Sequence, residues 1–178
     1  MNIFQSIEEA AEQRGLRFVV IGGFAVIEHG YARLTADFEL LVQREAREGW
    51  QALLLDLGYC AVHEEENFGQ FAVREGTGWP VDLMFANEAT FQGIWAASKP
   101  FALQGAHLRL VCLEHLLSLK LHALKHSRLG RFLKDFNDIT QLAKLNKIDL
   151  RSPPARDLFL KYGNADLYGK ICRACGAE

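Results

Sequence analysis

Three carboxylates and a pair of glycines are the residues of this sequence most suited to chemistry. Asp37 and Glu39 stand two apart in Thr35-Ala36-Asp37-Phe38-Glu39-Leu40, and Asp82 interrupts the apolar run Val81-Asp82-Leu83-Met84-Phe85. Read as a strand over 36–42, alternation sends Asp37, Glu39 and Leu41 to one face and Phe38, Leu40 and Val42 to the other. Like charges on one face repel each other. A divalent cation between them turns that repulsion into binding. A half-exposed strand with polar residues outward has the same spacing, so the pair alone leaves both readings open. Asp82 favours the first, because a charge in so apolar a strand is costly unless it is paired or binds metal. If 81–85 neighbours 36–42, the three carboxylates converge in a way that suits a two-metal site for phosphoryl transfer. Gly22-Gly23 follows Phe18-Val19-Val20-Ile21, and such a strand-to-helix turn lets the backbone approach a phosphate. A plain tight turn is the alternative.

A second set lies further along the chain. At about 100° per residue, Lys120 falls inside the apolar arc formed by Leu113, Leu117, Leu121 and Leu124. It either snorkels to water or has an anionic partner. In the next helix Asp135 falls inside the arc of Phe132, Phe136, Ile139, Leu142 and Ala143, and Asp138 borders it. An inward lysine and an inward aspartate on consecutive helices predict a buried or cleft-facing polar pair. His115, His122 and His126 form a stripe on the first of these helices. His122 and His126 have the i, i+4 spacing of zinc ligands, but no Glu follows the first as a zincin requires. Solvated or RNA-phosphate-facing histidines are the preferred reading. Cys172 and Cys175 make one CxxC without a second pair or a nearby His, and Cys60 and Cys112 sit in apolar surroundings. Reduced thiols are expected.

The elements that must position these groups follow from periodicity and turn chemistry. Helices are expected over about 2–14, 24–29, 45–57 and 90–97, and strands over 18–21, 36–42, 59–63, 68–74, 81–85 and within 100–110. Gly76-Thr77-Gly78 marks a turn. The final third is helical, over about 112–126, 130–145, 154–162 and 165–174. This predicts an α+β fold, with a sheet domain over 1–110 and a helical C-terminal region over 111–178 that closes one cleft.

The chain has 178 residues, 49% hydrophobic and 24% charged, which excludes disorder, collagen and coiled coil. No apolar run approaches the ~20 residues that span a bilayer. The first residues lack the basic region and apolar core of a signal peptide, so a soluble cytoplasmic protein with no membrane partner is expected. The net charge of −2 hides an asymmetry. Residues 1–66 carry 12 Asp/Glu against 5 Lys/Arg, whereas residues 115–147 carry 7 Lys/Arg against 2 Asp/Glu. Cations against one wall and an anion against the other would use both.

The order of strand, Gly22-Gly23, about a dozen residues and Asp37-Phe38-Glu39, with Asp82 on a later strand, resembles the nucleotidyltransferase (polymerase β-like) superfamily. Within it, Gly22-Gly23-Phe24-Ala25 and Arg33-Leu34-Thr35-Ala36-Asp37-Phe38-Glu39 look most like the bacterial AbiEii/AbiGii toxin-type branch. Lys120-Leu121-His122-Ala123, Lys134-Asp135 and Asp138-Ile139 resemble later motifs of that branch. The resemblance covers about residues 15–145 and implies a mixed sheet flanked by helices. It implies Mg²⁺ on Asp37, Glu39 and Asp82, with Asp82 acting as or positioning the base. Gly22, Gly23, Thr35, Lys120, Asp135 and Asp138 would bind the nucleotide, with Lys120 on its phosphates. The implied reaction moves a nucleoside monophosphate from a nucleoside triphosphate to a hydroxyl of an RNA 3′ end such as tRNA, or of a protein, in a toxin–antitoxin setting with an antitoxin partner. A small-molecule, aminoglycoside-type nucleotidyltransferase and a catalytically silent nucleotide-binding protein are the alternatives.

Overall fold

The computed structural model describes residues 2–76, 78–126 and 129–177. Thr77 of the expected turn and Arg128 of the basic segment lie outside the described residues. The chain divides into two units, one of Met1–Ala25 with Leu34–Cys112 and the other of Val26–Arg33 with Leu113–Glu178.

The first unit carries a seven-stranded mixed sheet. In chain order it contains α1 (Ile3–Gln13), β1 (Phe18–Val20), the start of α2 (Gly22–Glu28), β2 (Phe38–Gln43), a 3-10 turn at Arg44–Ala46 and α3 (Arg47–Asp56). Then come β3 (Tyr59–Glu65), β4 (Phe68–Val73), β5 (Val81–Ala86), α4 (Glu88–Ala97), β6 (Lys99–Leu103) and β7 (Ala106–Leu110). The strand order is β3-β4-β5-β2-β1-β7-β6. β2 runs antiparallel to β1 and parallel to β5. The predicted α+β class with a mixed sheet is what the structure has.

α1 starts where the sequence offers a capping box. The Asn2 side chain accepts the Gln5 N–H at 3.1 Å while Gln5 reaches back to the Asn2 backbone. Phe4, Ile7 and Ala11 then form its buried stripe. Phe4 packs edge-on against Phe38 at 4.9 Å and Phe24 at 5.6 Å between ring centroids. Phe24 and Phe38 lie at 5.8 Å from each other. Each fully buried ring contributes about 1.5–3 kcal/mol. Because Phe24 follows Gly23 and Phe38 precedes Glu39, this cluster fixes the backbone on which two of the candidate groups sit.

Three expectations change here. The strand expected over 36–42 begins at Phe38, so Asp37 occupies the bend before β2. Leu41 does not share an open face with the carboxylates; it is buried like Leu40 and Val42. β2 lies inside the sheet next to a parallel neighbour, where strands are covered on both faces and hydropathy stops alternating. In addition, α2 begins at Gly22 itself rather than after the glycine pair.

The second unit takes the end of α2 and the helices α5 (Leu113–His126), α6 (Leu129–Leu145), α7 (Pro153–Tyr162) and α8 (Ala165–Cys175). Leu116, Leu117, Leu121 and Leu124 of α5, and Ile139, Leu142 and Ala143 of α6, supply its core with Phe159, Leu167 and Ile171. Among the described residues no helix is long and apolar enough to cross a membrane.

Candidate active site

In the first unit the parallel pairing of β2 with β5 places Glu39 directly opposite Asp82. Opposed residues share a face of the sheet, so two carboxylates are held side by side. Asp82 is only 5% exposed. On its other side β4 places Gln70 opposite Asp82. The Gln70 Nε2 lies 3.3 and 3.4 Å from the two Asp82 oxygens. Sequence reasoning missed Gln70, because an isolated Gln between Gly69 and Phe71 gives no sign of which strand it will face. Thr35 Oγ1 donates to Asp37 Oδ1 at 2.9 Å, orienting the carboxylate that precedes β2. Among the described residues no three His, Cys, Asp or Glu side chains form a metal-ion cage.

The glycine turn is fitted to this acidic pair. The Gly23 N–H donates to Glu39 Oε2 at 2.6 Å. Gly22 adopts a left-handed φ of +61°, and a Cβ on it would lie 1.7 Å from Glu39 Oε2. A Cβ on Gly23 would lie 2.0 Å from Thr35 Oγ1. Both glycines are therefore needed for close approach, the first also for its backbone angle. Gly22→Ala is expected to cost about 1–2 kcal/mol for the left-handed residue alone. The new methyl also expels the Glu39 carboxylate. Thermal melts should show a Tm lower by about 2–8 °C. A wild-type melting curve would show that the turn tolerates a side chain.

The second unit brings Lys120, Asp135 and Asp138 together. Lys120 Nζ is 2.9 Å from Asp135 Oδ1 and 2.7 Å from Asp138 Oδ2. Lys120 is 7% exposed, Asp135 5% and Asp138 0%. Lys120 therefore does not snorkel, and Asp138, read as bordering the apolar face, lies deepest. A fourth member is Arg33, whose Nε and Nη2 reach Asp138 Oδ1 and Oδ2 at 2.8 and 3.0 Å. Its signal was its place in the motif running to Asp37, but nothing in that motif names its partner 105 residues away. Two further bonds tie the same segment to α6 and to the residue after it: Asn137 Nδ2 donates to the Tyr31 hydroxyl at 2.6 Å and Asn146 Nδ2 to the His29 carbonyl at 2.9 Å.

The other candidates are less engaged. The His122 and His126 rings lie tilted to each other, 4.7 Å apart between centroids. Burial holds His122 below the ordinary imidazole range, with the charges of His126 and Lys125 acting in the same direction. Cys60, Cys112, Cys172 and Cys175 form no disulfide with one another. Burial raises the Cys175 thiol, whose Sγ sits 3.8 Å from the Thr140 carbonyl.

Solved structures resemble the chain across most of its length. The antibiotic-resistance factor ANT(2'')-Ia matches with a TM-score of 0.65 at 16% identity, covering 97% of this chain and 95% of that one. The same protein in complex with adenylyl-2''-tobramycin gives 0.65 at 17% identity, over 90% and 94%. An antigenic nucleotidyltransferase-like protein from Paracoccidioides brasiliensis gives 0.58 at 15% identity, over 99% and 91%. The lincosamide antibiotic adenylyltransferase LnuA, lincomycin-bound, gives 0.54 at 18% identity, over 78% and 93%. At these identities the likeness is one of fold. No curated protein matches the chain in sequence. The sequence profile of a family described as "Uncharacterised nucleotidyltransferase" matches residues 1–156, and the chain belongs to that nucleotidyltransferase family.

Proposed function

We propose that this protein is a Mg²⁺-dependent enzyme that transfers a nucleoside monophosphate from a nucleoside triphosphate to a hydroxyl acceptor. The observation that carries this reading is the register of Glu39 with Asp82 beside a glycine turn that leaves no room for a side chain. The donors offered by Asp37, Glu39 and Asp82 are all carboxylate oxygens, the hard class that Mg²⁺ prefers, and they fit that ion. When bound, Mg²⁺ would polarise the phosphate and the attacking and leaving oxygens.

The chain's own residues do the remainder. Gly22 and Gly23 admit the triphosphate to the backbone, and Thr35 orients Asp37. Asp82 takes or orients the proton of the acceptor hydroxyl as that oxygen attacks the α-phosphate, and pyrophosphate leaves. Lys120 offsets the charge developing on the phosphates, with Asp135 and Asp138 holding its ammonium group.

For the acceptor, the likeness of the motifs to AbiEii/AbiGii-type toxins supports an RNA 3′ end such as tRNA, or a protein, with an antitoxin as partner. The excess of Lys and Arg over residues 115–147 supports a polyanion. A small-molecule acceptor is the second reading, favoured by the nearly end-to-end likeness to ANT(2'')-Ia, a protein solved with adenylyl-2''-tobramycin.

The test is incubation with Mg²⁺ and each labelled triphosphate in turn, with total tRNA, cell lysate or an aminoglycoside as acceptor. Label on tRNA or a protein supports the first reading, and label on the aminoglycoside supports the second. A protein that labels nothing, and whose nucleotide binding is the same in Asp37→Ala, would overturn both.

A further inference from the structure

Among the described residues of the second unit, two carboxylates and two cations lie together with little exposure. Arg33 grips both oxygens of Asp138 at 2.8 and 3.0 Å. Lys120 shares one of those oxygens at 2.7 Å and takes Asp135 at 2.9 Å. Two cations thus face two carboxylates. The Lys120 and Asp135 side chains are 9% and 7% exposed, those of Arg33 and Asp138 13% and 1%, so water screens them little. Lys120 alone against two carboxylates would make a net negative group, which repels a polyphosphate. The guanidinium cancels that excess, and its planar fork holds a carboxylate in a way that an ammonium cannot.

We propose that Arg33 is a positioning residue for nucleotide binding, which holds Asp138 and keeps the Lys120 cluster neutral so that the ammonium group remains attractive to phosphate. The inference rests on the reading of Lys120 as a phosphate-facing residue. Arg33 acts through Asp138 and need not touch the nucleotide. Its effect must then scale with the charge of the ligand and fade as salt screens it.

The experiment is equilibrium binding, with Mg²⁺ present, of a nucleoside and its mono-, di- and triphosphate to the wild type, Arg33→Gln and Asp135→Asn, at low salt and at about 0.5 M salt. Arg33→Gln should weaken triphosphate binding about tenfold or more, the diphosphate less and the nucleoside not at all, with the differences shrinking at high salt. Asp135→Asn, which removes a negative charge from the same cluster, should tighten triphosphate binding and leave the nucleoside unchanged. An equal loss for all four ligands in Arg33→Gln, or no loss, overturns the proposal. Should Arg33→Gln fail to fold, Arg33→Lys, which keeps the balancing charge, should retain most of the triphosphate affinity, and a loss equal for all four ligands overturns the proposal. A wild type that binds no triphosphate would overturn the nucleotidyltransferase reading itself. A wild type that binds it, with variants insensitive to phosphate number, overturns only the role of Arg33.

Discussion

Asp82→Asn should reduce nucleotidyl transfer by at least ~10²-fold while leaving the protein folded. The loss follows from the proposed role, because charge stabilisation worth several kcal/mol disappears with the carboxylate and each 1.36 kcal/mol is a factor of ten in rate. The fold should survive because an amide of the same shape takes the same place, buried opposite Glu39, and can still accept from Gln70. Label transfer and thermal melting on the same preparation test both halves. Full activity in the variant would remove Asp82 from the chemistry, and a collapse in Tm would make it a structural group.

The largest effect on stability is expected at Asp138. Asp138→Ala leaves the Arg33 guanidinium and the Lys120 ammonium without their shared partner, with side chains 13% and 9% exposed. Breaking a buried pair from one side costs about 3–5 kcal/mol. In a chain of this length that lowers Tm by about 6–20 °C. Asp135→Ala should cost less, since Lys120 retains Asp138 at 2.7 Å and Arg33 keeps its fork. Melting curves of the two variants compared with wild type decide this. Equal Tm values for both would show that Arg33 does not share in the pairing.

Much of the fold was legible because it rests on local patterns. The helices appear in the hydrophobic periodicity and the strands in short apolar runs, and most lie within a residue or two of their expected bounds. The inward placement of Lys120 and Asp135 was legible for the same reason, since a charge inside an apolar arc must find a partner. Errors arose where neighbours decide. Alternation over 36–42 predicted an open face, but β2 is an inner strand of the sheet and Leu41 is buried along with Leu40 and Val42. Gln70 and Arg33 could not be assigned roles, because each acts on a group brought to it by a distant segment.

The residue types and spacings alone determined a set of groups suited to phosphoryl transfer, whose order resembles that of nucleotidyltransferases: a glycine pair, a carboxylate pair two residues apart, a later aspartate and an inward lysine. Tertiary structure decided which of these groups meet. It set Glu39 against Asp82 and the Gly22–Gly23 turn, and it joined Arg33 to Asp138 and Lys120. The physical reason is that periodicity records only which side of an element is apolar, whereas strand register and helix pairing depend on packing between segments far apart in the chain.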